Sequence, residues 1–293
     1  MYIALIAFAA FLFSVQFVFN DRYQVNEGSS VPSAMLFSGI TGIVGIAFLA
    51  LTSRDVFEYS AFSLKLASIS AAKNILSAYL TILVLSRANL AIYSLYSMLG
   101  RMVLPFGYAI LFKGEPFTWQ KAACALFIAA ALLINLRNNN ENGAPGQKTG
   151  APLVLYYAIF VLNGLSGVFS AIHQSAGAVA ASAAVYSFME KAIGIIICAA
   201  VLLVYRSRGK RIRLRKPAFS LLSCTCFGII TTLGNLILLI ALLHVDASIQ
   251  YPIVTGGVIL LSFFWDWIFV KEPDHRAFES AAAAILGLIF LTF

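Results

Sequence analysis

Ten apolar runs of 17 to 25 residues follow one another along this chain, at 2–19, 31–51, 63–85, 90–112, 118–136, 153–171, 182–204, 218–242, 247–270 and 276–292. Charged or Pro/Gly breaks separate them. A helix crossing the hydrocarbon core needs about 20 mostly apolar residues, and ten such runs in 293 residues leave little chain for anything else. Composition agrees: 61% of residues are apolar and 11% charged, against roughly 45–50% and about 25% in soluble domains. The pattern predicts an all-α membrane protein with ten transmembrane helices. Disordered, collagen-like and disulfide-stapled chains are excluded by the same apolar content, by 20 Gly without a period and by four scattered Cys. The first run begins at the Met, with no basic leader and no small-residue cleavage site before Asn20-Asp21-Arg22. It is therefore expected to be a retained helix and not a signal peptide.

The longest polar connection, Arg137 to Gly150, is rich in Asn, Gly and Pro and follows the fifth run. It divides the chain into residues 1–137, a linker at 138–151, and residues 152–293, with five runs on each side. The two parts resemble each other. Shifted by 157 positions without a gap, Gly100 meets Gly257, Phe106 meets Phe263, Phe112 meets Phe269, and Glu115-Pro116 meets Glu272-Pro273. Earlier helices align at slightly smaller shifts, as Ser14 and Phe17 do with Ser166 and Phe169. Apolar coincidences are cheap in such sequences, but a Glu-Pro pair at matching places is not. Five is odd, so a duplicated unit enters the membrane in the opposite sense the second time. Two five-helix inverted repeats are the arrangement from which many secondary transporters build a midplane site.

These residues carry a family likeness. The chain resembles EamA-type members of the drug/metabolite transporter superfamily, which have two five-helix units, each closing with Phe-x-x-Glu-Pro before its last helix. Here the closers are Phe112-Lys113-Gly114-Glu115-Pro116 and Phe269-Val270-Lys271-Glu272-Pro273, with Lys271 where the family usually has Gly. Phe13-Ser14-Val15-Gln16-Phe17 is similar to the family's Gly-Ser-Asn-Phe stretch. The resemblance implies a multi-pass carrier of a small metabolite, working by alternating access around a central cavity, and implies no particular substrate. Small four-helix relatives couple to protons through a carboxylate in the first helix. The apolar run 2–19 has none, so that mechanism is not expected here.

Ionisable residues at bilayer depth cost about 2.5–3.5 kcal/mol on insertion scales and mark partners, water or function. Arg101 lies eleven positions into its run. Arg keeps its proton, so it must face a hydrated cavity, a carboxylate or an anionic substrate. The resemblance supports the last: nucleotide-sugar carriers of the superfamily place a basic residue thirteen positions before the closing Gly, as Arg101 stands to Gly114. A structural ion pair with Glu190 or Asp266 is the competing reading. Lys73-Asn74 sits mid-way along the third run and could line a cavity; Lys191 reads as a snorkelling side chain near a helix end. Glu190 is a candidate proton carrier, and Asp266, between Trp265 and Trp267, reads as an interfacial anchor.

Gln16, Asn163, Asn235 and Gln250, with Tyr93 and Tyr96 beside Arg101, complete the candidate substrate-binding set. Each could equally make an ordinary interhelical hydrogen bond; as a set on repeat-related helices they point to a cavity. Pro105 and Pro252 occupy the fourth and ninth runs, which predicts bent or broken helices there. Gly39-x-x-Gly42-x-x-Gly45 and Ala281 to Ala284 predict close helix contacts.

No spacing of His or Cys converges on a metal. No cofactor and no nucleic-acid partner is expected. The expected partners are a small-molecule substrate and the lipid bilayer, and the expected site is a cell membrane. A membrane enzyme acting on lipid-linked intermediates, or a non-transporting receptor or assembly factor, are the alternatives. The first usually needs clustered His, Asp or Glu at a membrane face, the second a sizeable soluble part.

The net charge of +8 is unevenly placed. Connections after odd-numbered runs hold thirteen Lys and Arg, seven of them between 206 and 216, and those after even-numbered runs hold four. The positive-inside rule puts the 206–216 loop in the cytoplasm and both termini outside. The family resemblance implies cytoplasmic termini instead. A reporter fused after Phe293 decides between the two.

Overall fold

The computed structural model describes residues 1–28, 30–53, 58–85, 90–141, 153–209, 214–270 and 275–290. Among them the architecture is all-α. The helices are α1 (Tyr2–Glu27), α2 (Val31–Thr52), α3 (Ala61–Leu85), α4 (Leu90–Phe112), α5 (Trp119–Glu141), α6 (Leu153–Ser175), α7 (Ala183–Ser207), α8 (Pro217–Ala241), α9 (Ala247–Val270) and α10 (His275–Phe290). A single 3-10 turn, Gly177–Val179, precedes α7.

Five of these, α1, α2, α6, α7 and α8, are long and apolar enough to cross a membrane. Shorter apolar stretches occupy α4, α5, α9 and α10. Large apolar side chains such as Leu51, Leu111, Leu126 and Val154 face outward, while Gln16, Lys73, Asn163 and Gln250 are buried. That distribution, apolar outside and polar within, is what lipid as solvent selects. The protein is an all-α membrane protein.

Ser30 and Ser182 cap α2 and α7 by accepting from the Ser33 and Val185 amides at 3.3 Å each. Two other helices are capped from a distance. The carboxylate of Glu27, at the end of α1, accepts from the Arg215 and Lys216 amides at 2.8 and 3.1 Å and from Ser220 Oγ, so α1 caps α8. Glu115 accepts from the Ala247 and Ser248 amides at 3.0 Å each and from Ser248 Oγ, so the segment after α4 caps α9. Gly114, at φ 69°, turns the chain at the end of α4 immediately before Glu115. This gives the Glu of the first Phe-x-x-Glu-Pro a physical job, since a carboxylate completes the orphan amides of a helix start. In the second closer, residues 271–274 lie outside the described residues.

The first helix differs from its expected span. Asn20-Asp21-Arg22 does not break α1, which continues to Glu27. The extension is held because Tyr23 donates to the Ser33 carbonyl at 2.9 Å and Glu27 reaches α8. The helix therefore does carry carboxylates, Asp21 and Glu27, but in its last two turns. The expected breaks at Pro105 and Pro252 are absent too, since α4 and α9 are continuous through both. Pro105 cannot supply the N–H that would bond the Arg101 carbonyl one turn back, but neighbouring helices keep α4 helical past it.

The most extensive contacts join a helix before residue 141 to one after 153: α4 with α6, α1 with α8 and α9, α5 with α10, α2 with α7, and α3 with α7. Small residues make the closest approaches. A Cβ at Gly100 would lie 2.1 Å from the Phe160 carbonyl oxygen, and one at Gly164 would lie 2.5 Å from the Gly100 oxygen, so α4 and α6 meet backbone to backbone. Down α2, Gly39, Gly42 and Gly45 face Cys198, Ile195 and Lys191 of α7. On α10, Ala281 and Ala284 are buried, and Ala284 joins the cluster of Cys124, Ile128 and Ala131 on α5.

Candidate functional site

A cavity of about 300 Å³ opens between the helices, lined from α1, α3, α4, α6, α7, α8 and α9. The periodicity of α3 builds one wall. Ser70 and Asn74, four residues apart, share a face, and both donate to the same oxygen of Glu190 on α7, Asn74 at 2.9 Å. Lys73 is turned toward α6, where its ammonium donates to Ser166 Oγ. One α3 turn thus presents a cation to one neighbour and two donors to a carboxylate on another.

Arg101 lines the cavity from α4. Its position follows from the helix seam beneath it: Gly100 is the residue through which α4 touches α6. Asn163 on α6 donates to the Ile159 carbonyl at 3.0 Å, which leaves its oxygen to accept from Arg101 Nη2 at 3.5 Å. A further tie closes the seam, with Tyr251 of α9 donating to the Gly167 carbonyl at 2.9 Å. Gln16 on α1 accepts from Thr231 of α8 at 2.6 Å, joining two more lining helices. Asn235 lines the cavity from α8.

Of the expected site residues, the structure brings Gln16, Asn74, Arg101, Asn235 and Glu190 to one cavity. Lys73 and Asn163 stand one contact behind it, through Ser166 and Arg101. Two others are elsewhere. Tyr96 stacks on Tyr156 with ring centroids 5.1 Å apart and packs beside Val84. Gln250 is fully buried and donates to the Leu238 carbonyl at 3.0 Å, a tie between α9 and α8. The side chains of Tyr93 and Asp266 lie outside the described residues.

Sequence reasoning missed the serines and threonines, Ser70, Ser166, Ser170, Ser187, Thr231 and Thr232, which line much of the polar surface. Singly they are common in membrane helices; only the fold shows that they converge. It also missed Lys191, which lines the cavity although it reads as a snorkelling residue.

His173 is outside the cavity. It is buried, shares a 2.9 Å hydrogen bond with Ser63 and stacks on Tyr186 at 4.2 Å. No group of three His, Cys, Asp or Glu among the described residues is arranged to hold a metal.

The arrangement can bind a small polar molecule. It offers hydroxyl and amide donors, one carboxylate already hydrogen-bonded, and cationic groups from two helices, Arg101 of α4 and Lys191 of α7.

No family model and no curated protein matches this chain. Among solved structures, a crystal structure described only as that of a protein is similar over 99% of this chain and 96% of its own, with a TM-score of 0.70 at 18% identity. At that identity the likeness concerns the fold alone.

Proposed function

We propose that the chain is a secondary carrier that moves a small, anionic or carboxylate-bearing metabolite across a cell membrane by alternating access, as its resemblance to EamA-type members of the drug/metabolite transporter superfamily implies. The observation that carries this reading is the cavity itself. It carries charged, amide and hydroxyl side chains among apolar ones, it lies within a bundle that is apolar outside, and helices from both halves of the chain line it. In this reading all ten helices cross the membrane, as two inverted repeats, and the protein is not an enzyme.

The pattern of helix contacts supports the repeat. Exchange each helix for its mate, α1 for α6, α2 for α7, α3 for α8, α4 for α9 and α5 for α10. The contact of α1 with α8 then becomes α6 with α3, α1 with α9 becomes α6 with α4, and α2 with α8 becomes α7 with α3, and all of these contacts are present. The pairs α2 with α7, α4 with α9 and α5 with α10 map onto themselves and are present as well. Rocking of one repeat on the other around a shared cavity is the motion such symmetry permits.

Arg101 engages the substrate anion, with Gln16, Asn74 and Asn235 around it. Glu190 is the candidate for proton coupling, since its protonation would change its hydrogen bonds with Ser70 and Asn74. The test is transport by purified protein in vesicles, with candidates chosen from metabolites that differ between cells lacking and cells overproducing the protein. Movement of an anionic metabolite only with the protein present is the expected result. Failure to move any member of a broad metabolite pool, in either gradient direction, overturns the reading.

A further inference from the structure

We propose that Lys191 is a second cation, beside Arg101, that grips the anionic group of the cavity's ligand, a carboxylate or a phosphate ester, and that Gly45 is its seat. The inference rests on the carrier reading for its biological meaning, but it is a statement about binding.

Glu190 and Lys191 are neighbours on α7, so their side chains leave the helix about 100° apart. They go to different helices. Glu190 turns to α3 and is occupied by Ser70 and Asn74. Lys191 turns to α2 and α8. Its Cδ and Cε lie 2.8 and 2.9 Å from where a Cβ on Gly45 would be, with Thr232 Oγ1 at 2.6 Å from the same point. A side chain at position 45 would force that stem, or the Thr232 hydroxyl, to move. The seat fixes the stem between two helices, so the ammonium is held in the cavity wall at little further entropic cost.

The ammonium has three donors to place. Among the described residues there is no carboxylate within ion-pair distance of it and no hydrogen-bond acceptor that it reaches. Thr232, the polar neighbour, donates to the Gly228 carbonyl at 2.6 Å and is not hydrogen-bonded to the ammonium. Lys73 differs, since its ammonium is already bonded to Ser166. A cation inside an apolar bundle with no protein acceptor is costly, and an oxyanion entering the cavity supplies what is missing. Glu190 is the one carboxylate lining the cavity among the described residues, and its hydrogen bonds hold it on α3. The size, about 300 Å³, is at the lower end for small-molecule sites and fits a small metabolite.

The test is binding to purified protein in detergent, read as the shift of the thermal unfolding midpoint. The probes are inorganic phosphate and succinate at constant ionic strength, against chloride and glucose. Expected is stabilisation by one or both oxyanions, which tells phosphate from carboxylate preference, and by neither control. Lys191→Met, which keeps the stem on Gly45 and removes the charge, weakens that binding tenfold or more. Lys191→Arg retains part of it, and Gly45→Ala weakens it by displacing the stem.

Should the variants fold poorly, wild-type protein serves: an amine-reactive acylating reagent labels Lys191, and the bound oxyanion slows the labelling as read by peptide mass spectrometry. No stabilisation by either oxyanion, affinity in Lys191→Met within twofold of wild type, or labelling of Lys191 unaffected by a bound oxyanion overturns the proposal. Binding without transport would strike the carrier reading alone, and transport with Lys191 indifferent to anions would strike this one alone.

Discussion

Two seams border the cavity, and they are made in opposite ways. Where α4 meets α6, the absence of side chains at Gly100 and Gly164 lets the two backbones touch, with Leu104 packed beside them. Where α3 meets α7, polar groups carry the contact beside the cavity: Ser70, Asn74 and Glu190 bond across it, while Leu66, Ala67 and Tyr186 pack nearby. A backbone seam has one geometry, because dispersion falls steeply with any gap and a glycine contact has no rotamers to adjust. A hydrogen-bonded seam can exchange partners, with each other, with water or with a ligand, at small cost. The first is suited to holding Arg101 in place and the second to responding to what binds.

That contrast predicts an order of effects. Gly100→Val puts branched carbon where the Phe160 carbonyl stands and costs about 3 kcal/mol or more by overpacking. Denaturant unfolding of the detergent-solubilised protein checks it, and a cost near zero would mean that the seam yields. Arg101→Ala, one residue on, leaves the seam intact, so the protein stays folded while transport falls about tenfold or more, the equivalent of about 1.4 kcal/mol of substrate interaction. Wild-type transport by a folded Arg101→Ala protein removes Arg101 from the site.

A third seam sharpens the comparison because it uses a carboxylate near the end of the bundle. Burial opposes the charge on Glu27, but Ser220, the Arg215 and Lys216 amides and the Arg215 charge outweigh it, so its carboxyl titrates below the ordinary 4.5. A depressed carboxyl contributes stability that is fully present above the unfolded value and lost as pH falls through the folded one. Glu27→Ala is therefore expected to lower stability by about 1–3 kcal/mol at pH 7, and by progressively less as the pH is taken below 4.5. Equal destabilisation at both pH values would mean that Glu27 acts through packing and not through charge.

The smallest effect belongs to the polar seam. Ser70→Ala is expected to cost only about 0.6 kcal/mol, the average for an interhelical hydrogen bond in a membrane protein, because Asn74 still bonds Glu190. Its signature lies elsewhere, in a displaced pH dependence of transport. Glu190→Gln, which keeps the shape, is expected to flatten that dependence while the protein remains folded. An unaltered pH profile in both variants takes Glu190 out of the coupling.

What was legible beforehand is uneven for physical reasons. Apolar runs must span lipid, so the helices could be read from hydropathy, apart from the end of α1, where the tie between Glu27 and α8 overrides the local polar break. Glu190 and Arg101 were legible because charge at depth demands an explanation. Lys191 was not, since a lysine near the start of an apolar run normally snorkels, and only Gly45 on another helix shows where its stem goes. Tyr96 and Gln250 sit on candidate helices but face neighbouring side chains and backbone, not the cavity. Facing is a property of the helix pair, which periodicity within one helix does not reveal.

By itself, then, the order of residues determined that this chain is a helical membrane protein and which ionisable groups its interior must accommodate, because the cost of placing polar atoms in lipid acts on each helix separately. Which of those groups meet was decided only by tertiary structure. Glycines on one helix choose where the next one lies, and that choice put Lys191 against Gly45, Arg101 beside Asn163, and Glu190 within reach of Ser70 and Asn74.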